Sequence, residues 1–146
     1  MQIIGEWLLC PDSVSRPVVR AQVAGAAGRI IDEHFLVDSG ADRTVFSADL
    51  AARLQLPFKQ PPGSTALLGI GGGSDYVLLT TSIEFTRDNG APALVRGEFA
   101  SFTDPLATDM SILGRDILNN FDVVISRPRN EVLLLAPNHS YHIMRS

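Results

Sequence analysis

The stretch "FLVDSGADRTVF", residues 35–46, decides how this chain is read. Three apolar residues run directly into Asp38, and Ser39, Gly40 and Ala41 follow at once. A carboxylate is expensive to bury unless it is paired, hydrogen-bonded or neutralised. A strand that delivers an acid to a tight turn therefore needs an explanation from the rest of the sequence. Asp, Ser and Gly are all good turn formers, so the stretch alone also reads as an ordinary turn. A catalytic reading needs further motifs in a definite order.

The chain has 146 residues, the size of one ordinary domain. The expectation is a single domain over residues 1–146, with its core over about 16–137 and a polar tail over 138–146. Hydrophobic residues make up 45% and charged residues 19%, which fits a globular chain with a sizeable core. The net charge is −4 with no basic cluster, so no nucleic-acid partner is expected. No apolar run approaches the ~18 residues that span a bilayer. "MQIIGEWLLCPD" at the start lacks a basic n-region and a small-residue cleavage site. Neither a signal peptide nor a membrane association is expected. Cys10 is the only cysteine, without an internal disulfide partner or metal-ligand spacing. A reducing, cytoplasmic setting is the expectation.

β signals dominate. "RPVVRAQVAG" alternates like a half-buried strand, "AGAAGR" turns, and "IIDEHFLVD" returns. "VFSADLAARLQL" is a helix candidate, with Ser47 as N-cap and Leu50, Ala51 and Leu54 at helical spacing. Pro57, Pro61 and Pro62 then break regular structure. "TALLGIGGGSDYVLLTTSIEF" reads as a long hairpin, two apolar runs around a glycine-rich tip. "TRDNGAP" carries an Asn89-Gly90 turn signal, and "ALVRGEFASF" returns as a strand. "DVVISRPRNEVLLLAP" reads as a closing hairpin. Strands do not alternate with long helices, which disfavours a doubly wound sheet.

Two further stretches matter. "SILGRDIL", residues 111–118, carries two apolar residues and a glycine into a short helix; alone it is an ordinary helix start. "GIGGGSD", residues 69–75, is glycine-rich, but it lacks the Lys and Ser/Thr of a phosphate loop, and strand-like residues follow it. A hairpin tip fits it better than a nucleotide site.

The order of acid loop, glycine-rich hairpin tip and Gly-Arg-Asp helix resembles the retroviral-type, or retropepsin-like, aspartic proteases. The resemblance covers roughly residues 16–137 and rests on "LVDSGADRTVF" and "ILGRDIL". The glycine-rich stretch matches in position and glycine content rather than letter by letter. Ser39 stands where Thr is commoner, a variant that the family also uses. The closing "FDVVISRPRNEVLLLA" looks more like the end of a lobe in pepsin-like or cellular retropepsin-like enzymes than like a viral protease.

The resemblance implies a mainly β fold: a single-lobe, closed, barrel-like domain with a flap hairpin and one or two short helices. It implies an aspartic endopeptidase acting on polypeptide, with Asp38, Ser39 and Gly40 as the catalytic loop. Ala41, Asp42, Gly69, Ile70, Gly71, Gly72 and Ile112 would bind substrate. Gly114, Arg115 and Asp116 would support the loop, Arg115 by pairing with a partly buried Asp42. The mechanism needs two carboxylates sharing one proton. Asp12, Asp32, Asp104, Asp109 and Asp122 are not followed by Ser/Thr-Gly, so Asp38 is expected to meet its own copy in a homodimer. The nucleophile would be water, so no cofactor is expected. His139 and His142, with two residues between them, have no evident third ligand, so no metal is expected. The alternative is a catalytically silent dimerisation or peptide-binding module on the same fold.

Overall fold

Along the chain the strands are β1 (Gln2–Ile4), β2 (Glu6–Leu9), β3 (Ser15–Ala24), β4 (Ile30–Val37), β5 (Val45–Phe46), β6 (Leu67–Gly69), β7 (Gly72–Ser74), β8 (Tyr76–Thr86), β9 (Pro92–Phe102), β10 (Ser111–Leu113), β11 (Asp122–Ser126) and β12 (Glu131–Leu135). The helices are α1 (Ala48–Leu54) and α2 (Arg115–Leu118). The computed structural model describes residues 1–62, 67–69, 72–137, 140, 142 and 144, and for 67–69 and 72–74 the backbone alone.

Strands β3, β4, β10, β5, β9 and β8 hydrogen-bond in that order, and a β3–β8 pairing closes them into a barrel. The ten residues of β3 make closure possible. Its first part pairs with β2, Glu6 opposite Val18, and its last part with β8, Val23 opposite Ile83. Period-2 alternation sends Val19, Ala21 and Val23 of β3, Phe35 and Val37 of β4, and Ile83 and Phe85 of β8 into one core. Phe46 lies between Phe35, edge-on at 6.0 Å, and Phe99, stacked at 5.4 Å. Helix α1 closes one side with Leu50 and Leu54. Its N-cap is Ser47, whose hydroxyl accepts from Leu50 N, a contact worth about 1 kcal/mol.

A three-stranded sheet, β1–β12–β11, covers another side, with Ile3, Val132 and Leu134 turned into the core. The Trp7 indole N–H on β2 donates to the carbonyls of Ser126 and Glu131, and Arg127 lies 5.3 Å over its ring. The β11–β12 hairpin is thereby fastened to the barrel.

The mainly β, closed architecture with two short helices agrees with the sequence reading. Two details differ. Strands β1 and β2 were not anticipated, because three or four residues carry too little periodicity. The long hairpin expected across residues 65–85 is divided: β6 pairs with β7, whereas β8 pairs along its whole length with β9, around the Asn89-Gly90 turn.

A buried polar link joins three elements near β10. Ser111 Oγ donates to Glu33 Oε2 at 3.0 Å and accepts from Ser47 N at 3.0 Å, tying β10 to β4 and to the start of α1. Burial pushes the Glu33 carboxyl above its ordinary value, and Ser111 and Arg53 pull it only part of the way back. Between the unfolded value near 4.5 and the raised folded value, the folded chain holds more protons than the unfolded one. Glu33 therefore makes stability fall as pH rises through that window. Asp12, held down to about 2 chiefly by its hydrogen bond to Arg16, titrates below it. We expect Glu33→Gln to flatten the decline of Tm as pH rises from about 4.5. An unchanged slope in the variant would show that Glu33 is not the group responsible.

Candidate active site

The Asp38 loop owes its position to β10. Strand β4 lies parallel to one side of β10 and β5 antiparallel to the other, with Ile112 opposite both Leu36 and Val45. The chain must therefore pass around the end of β10 between Val37 and Val45, and residues 38–44 make that passage. Asp38 N donates to Leu113 O at 3.1 Å, and Ala41 N closes the turn on Asp38 O at 3.2 Å.

At the tip, Asp38 is half-buried, whereas Ser39 and Gly40 are exposed. Gly40 N donates to Asp38 Oδ1 at 3.0 Å. A Cβ at Gly40 would stand 3.2 Å from that same oxygen, so the glycine leaves the carboxylate its room. The apolar approach through Phe35 and Val37 thus ends on an acid that keeps one backbone donor and one open side. Ser39 makes no side-chain hydrogen bond among the described residues.

The loop is clamped from behind by the segment that follows β10. Thr44 N donates to both carboxylate oxygens of Asp116, at 2.9 and 3.0 Å. Thr44 Oγ1 donates to Asp116 Oδ1 at 2.7 Å and accepts from Gly114 N at 3.1 Å. Arg115 N and Asp116 N donate to the carbonyls of Ala41 and Asp42. Contact is so close at Gly114 that a Cβ there would lie 2.3 Å from the carbonyl group of Arg43. No side chain fits.

Asp42 and Arg115 pair through Oδ1 and the guanidinium, as the resemblance implied. Asp42 is not partly buried, however. Its side chain is 82% exposed and that of Arg115 49%, so within one chain this is a surface contact. The acid that holds buried Thr44 is Asp116, itself exposed, and Thr44 is not among the residues singled out from the sequence.

A second apolar cluster lies on the other face of β5. Val45, Tyr76, Leu78 and Ala100 are buried there, with Ile112 and Phe102 packed against them. Neighbouring Phe46 points into the main core, so β5 separates the two clusters. Ile112 thus lines an apolar wall beside the Asp38 loop, and Ala41 is half-buried in the loop itself. Alternation along "TVFS" assigns Val45 and Phe46 to opposite faces, a signal available from sequence.

Gly69 and Gly72 face each other as the last pair of the β6–β7 hairpin. Ile70 and Gly71, expected at its tip, lie outside the described residues, as does His139 of the tail. Among the described residues no cluster of His, Cys, Asp and Glu has metal-binding proximity, and no helix is long and apolar enough to cross a membrane.

We expect Asp116→Ala to cost about 1–3 kcal/mol, because it strands the buried N–H and hydroxyl of Thr44. Arg115→Ala should cost about 0–1 kcal/mol, as for other exposed pairs. Urea midpoints at one fixed chain concentration compare them. Equal losses, or a larger loss for Arg115→Ala, would make the surface pair the true brace.

The comparisons agree with this geometry. A family model described as retroviral aspartyl protease matches residues 13–126. A retropepsin-like aspartic protease from Rickettsia conorii has a similar fold, with a TM-score of 0.57 and 18% identity over 92% of this chain and 90% of that one. EIAV protease, solved in complex with the inhibitor HBY-793, gives a TM-score of 0.50 and 23% identity over 71% of this chain and 86% of that one. At such identities the two structures speak for the fold alone. No curated protein is significantly similar in sequence. The family match spans the Asp38 loop, the β6–β7 hairpin and the Gly114-Arg115-Asp116 segment, and the chain belongs to the retroviral aspartyl protease family.

Proposed function

We propose that this chain is an aspartic endopeptidase that works as a homodimer, each copy supplying one Asp38 to a shared site. The observation that carries this reading is the state of Asp38. It is half-buried, it is oriented by Gly40 N, and it sits on a loop braced by Thr44 and Asp116. Members of the family work as dimers on polypeptides, and one chain offers one such acid loop.

In the proposed reaction the two Asp38 carboxylates share one proton. The ionised one takes a proton from water as the water oxygen attacks the carbonyl carbon. The protonated one gives its proton to the carbonyl oxygen. Collapse of the tetrahedral adduct then breaks the C–N bond, with a proton passing to the leaving amine. Water is the nucleophile, and no step calls on a cofactor. The β6–β7 hairpin serves as a flap that holds an extended peptide like an added strand, with Gly69, Ile70, Gly71 and Gly72 at its tip. Ala41, Asp42 and Ile112, with Val45 behind Ile112, line the path of the peptide. Gly114, Arg115 and Asp116 support the loop without touching substrate.

We expect Asp38→Asn to lower kcat/KM on a peptide substrate by about 10³-fold or more, with the folded content unchanged. The wild-type rate should follow a bell in pH with its maximum between about 4 and 6, since only the singly protonated pair is competent. Activity of the Asn variant within about tenfold of wild type, or a flat profile to about pH 8, would assign the chemistry elsewhere.

A further inference from the structure

One charge on the Asp38 loop is left over. Asp42 is engaged by Arg115, and Asp116 by Thr44. Arg43, between Asp42 and Thr44, is exposed, and its guanidinium makes no ion pair or hydrogen bond among the described residues. Its backbone is nevertheless fixed, because the Arg43 carbonyl group rests against Gly114 with no space for a Cβ between them. Two residues further on, Val45 faces the second apolar cluster. An apolar wall is therefore bordered by an unneutralised guanidinium on a rigid piece of chain.

We propose that Arg43 selects peptides carrying an acidic side chain close to the bond that is cut. The proposal rests on the endopeptidase reading above and names a substrate preference for the same site. A guanidinium offers a planar fork that matches a carboxylate, and it keeps its charge across the working pH range. Arg43 lies five residues beyond Asp38, which chain reach limits to about 18 Å, and the turn at Ala41 shortens that. An extended peptide advances ~3.3 Å per residue, so the acidic residue is read within about five residues of the cut bond.

The test uses the full chain and peptides with a fixed apolar pair at the cut bond. Glu, Gln or Lys is placed in turn at each of about five flanking positions on either side, the span set by chain reach. At one flanking position the wild type should prefer Glu over Gln by about two- to fivefold in kcat/KM, expressed mainly in KM. The ratio should shrink in high salt, and also as pH falls through about 4, where the Glu side chain protonates. Arg43→Gln should bring the Glu/Gln ratio to about one, and Arg43→Glu should turn the preference towards Lys. A Glu preference that survives in Arg43→Gln, or wild-type cleavage indifferent to the flanking charge, overturns this proposal alone. So does an Arg43→Gln chain that loses dimer content with its Glu/Gln ratio intact. A wild type that cleaves no peptide overturns the endopeptidase reading itself.

Discussion

The bond set between Thr44 and Asp116 is the constraint on which the rest of the site depends. It spans 72 residues of sequence and satisfies a buried backbone N–H, a buried hydroxyl and a carboxylate together. Gly114 N completes it by donating to the same hydroxyl. Loop 38–44 must travel from one side of β10 to the other, and this clamp fixes its last residue while Arg115 N and Asp116 N hold the carbonyls of Ala41 and Asp42. With it, the loop is pressed against the start of α2 so closely that Gly114 tolerates no side chain. Buried networks of this kind fix one arrangement when every member is satisfied and are costly when one is removed.

From that clamp follows a division of labour between the two faces of β5. Phe46 completes the main core with Phe35 and Phe99, and Val45 belongs to the apolar wall beside the acid. Two adjacent residues therefore serve stability and the site, and neither can exchange sides without a register slip. The Ser111–Glu33 link holds the far end of β10, so the strand is anchored at both ends.

Much of this was legible in sequence where the signal is local. Ser47, Leu50 and Leu54 specify α1, Asn89-Gly90 specifies the β8–β9 turn, and "LVDSGA" with "ILGRD" identifies the two halves of the loop assembly. What stayed hidden depends on partners far apart. Strand β1 exists because Gln2 finds Leu135, and three residues cannot announce that in advance. Alternation predicts strands without naming their neighbours, which is why the sequence pairs β6 with β8 as the two arms of one hairpin. The acids around the loop were legible as a set but not in their burial. Asp42, expected to be partly buried, lies in solvent, whereas the bonds to buried Thr44 fall to Asp116, two residues beyond the glycine that allows close approach.

The central claim is that one chain holds half of a catalytic site. Mixing wild type with the Asp38→Asn chain, under conditions where dimers exchange, tests it most directly. If each dimer needs two intact Asp38 side chains, total activity falls as the square of the wild-type fraction at constant total chain. An equal mixture then retains about a quarter of the activity of the pure wild type, by the same mass action. A linear fall, to about half, would mean that each chain acts alone and would contradict the shared site.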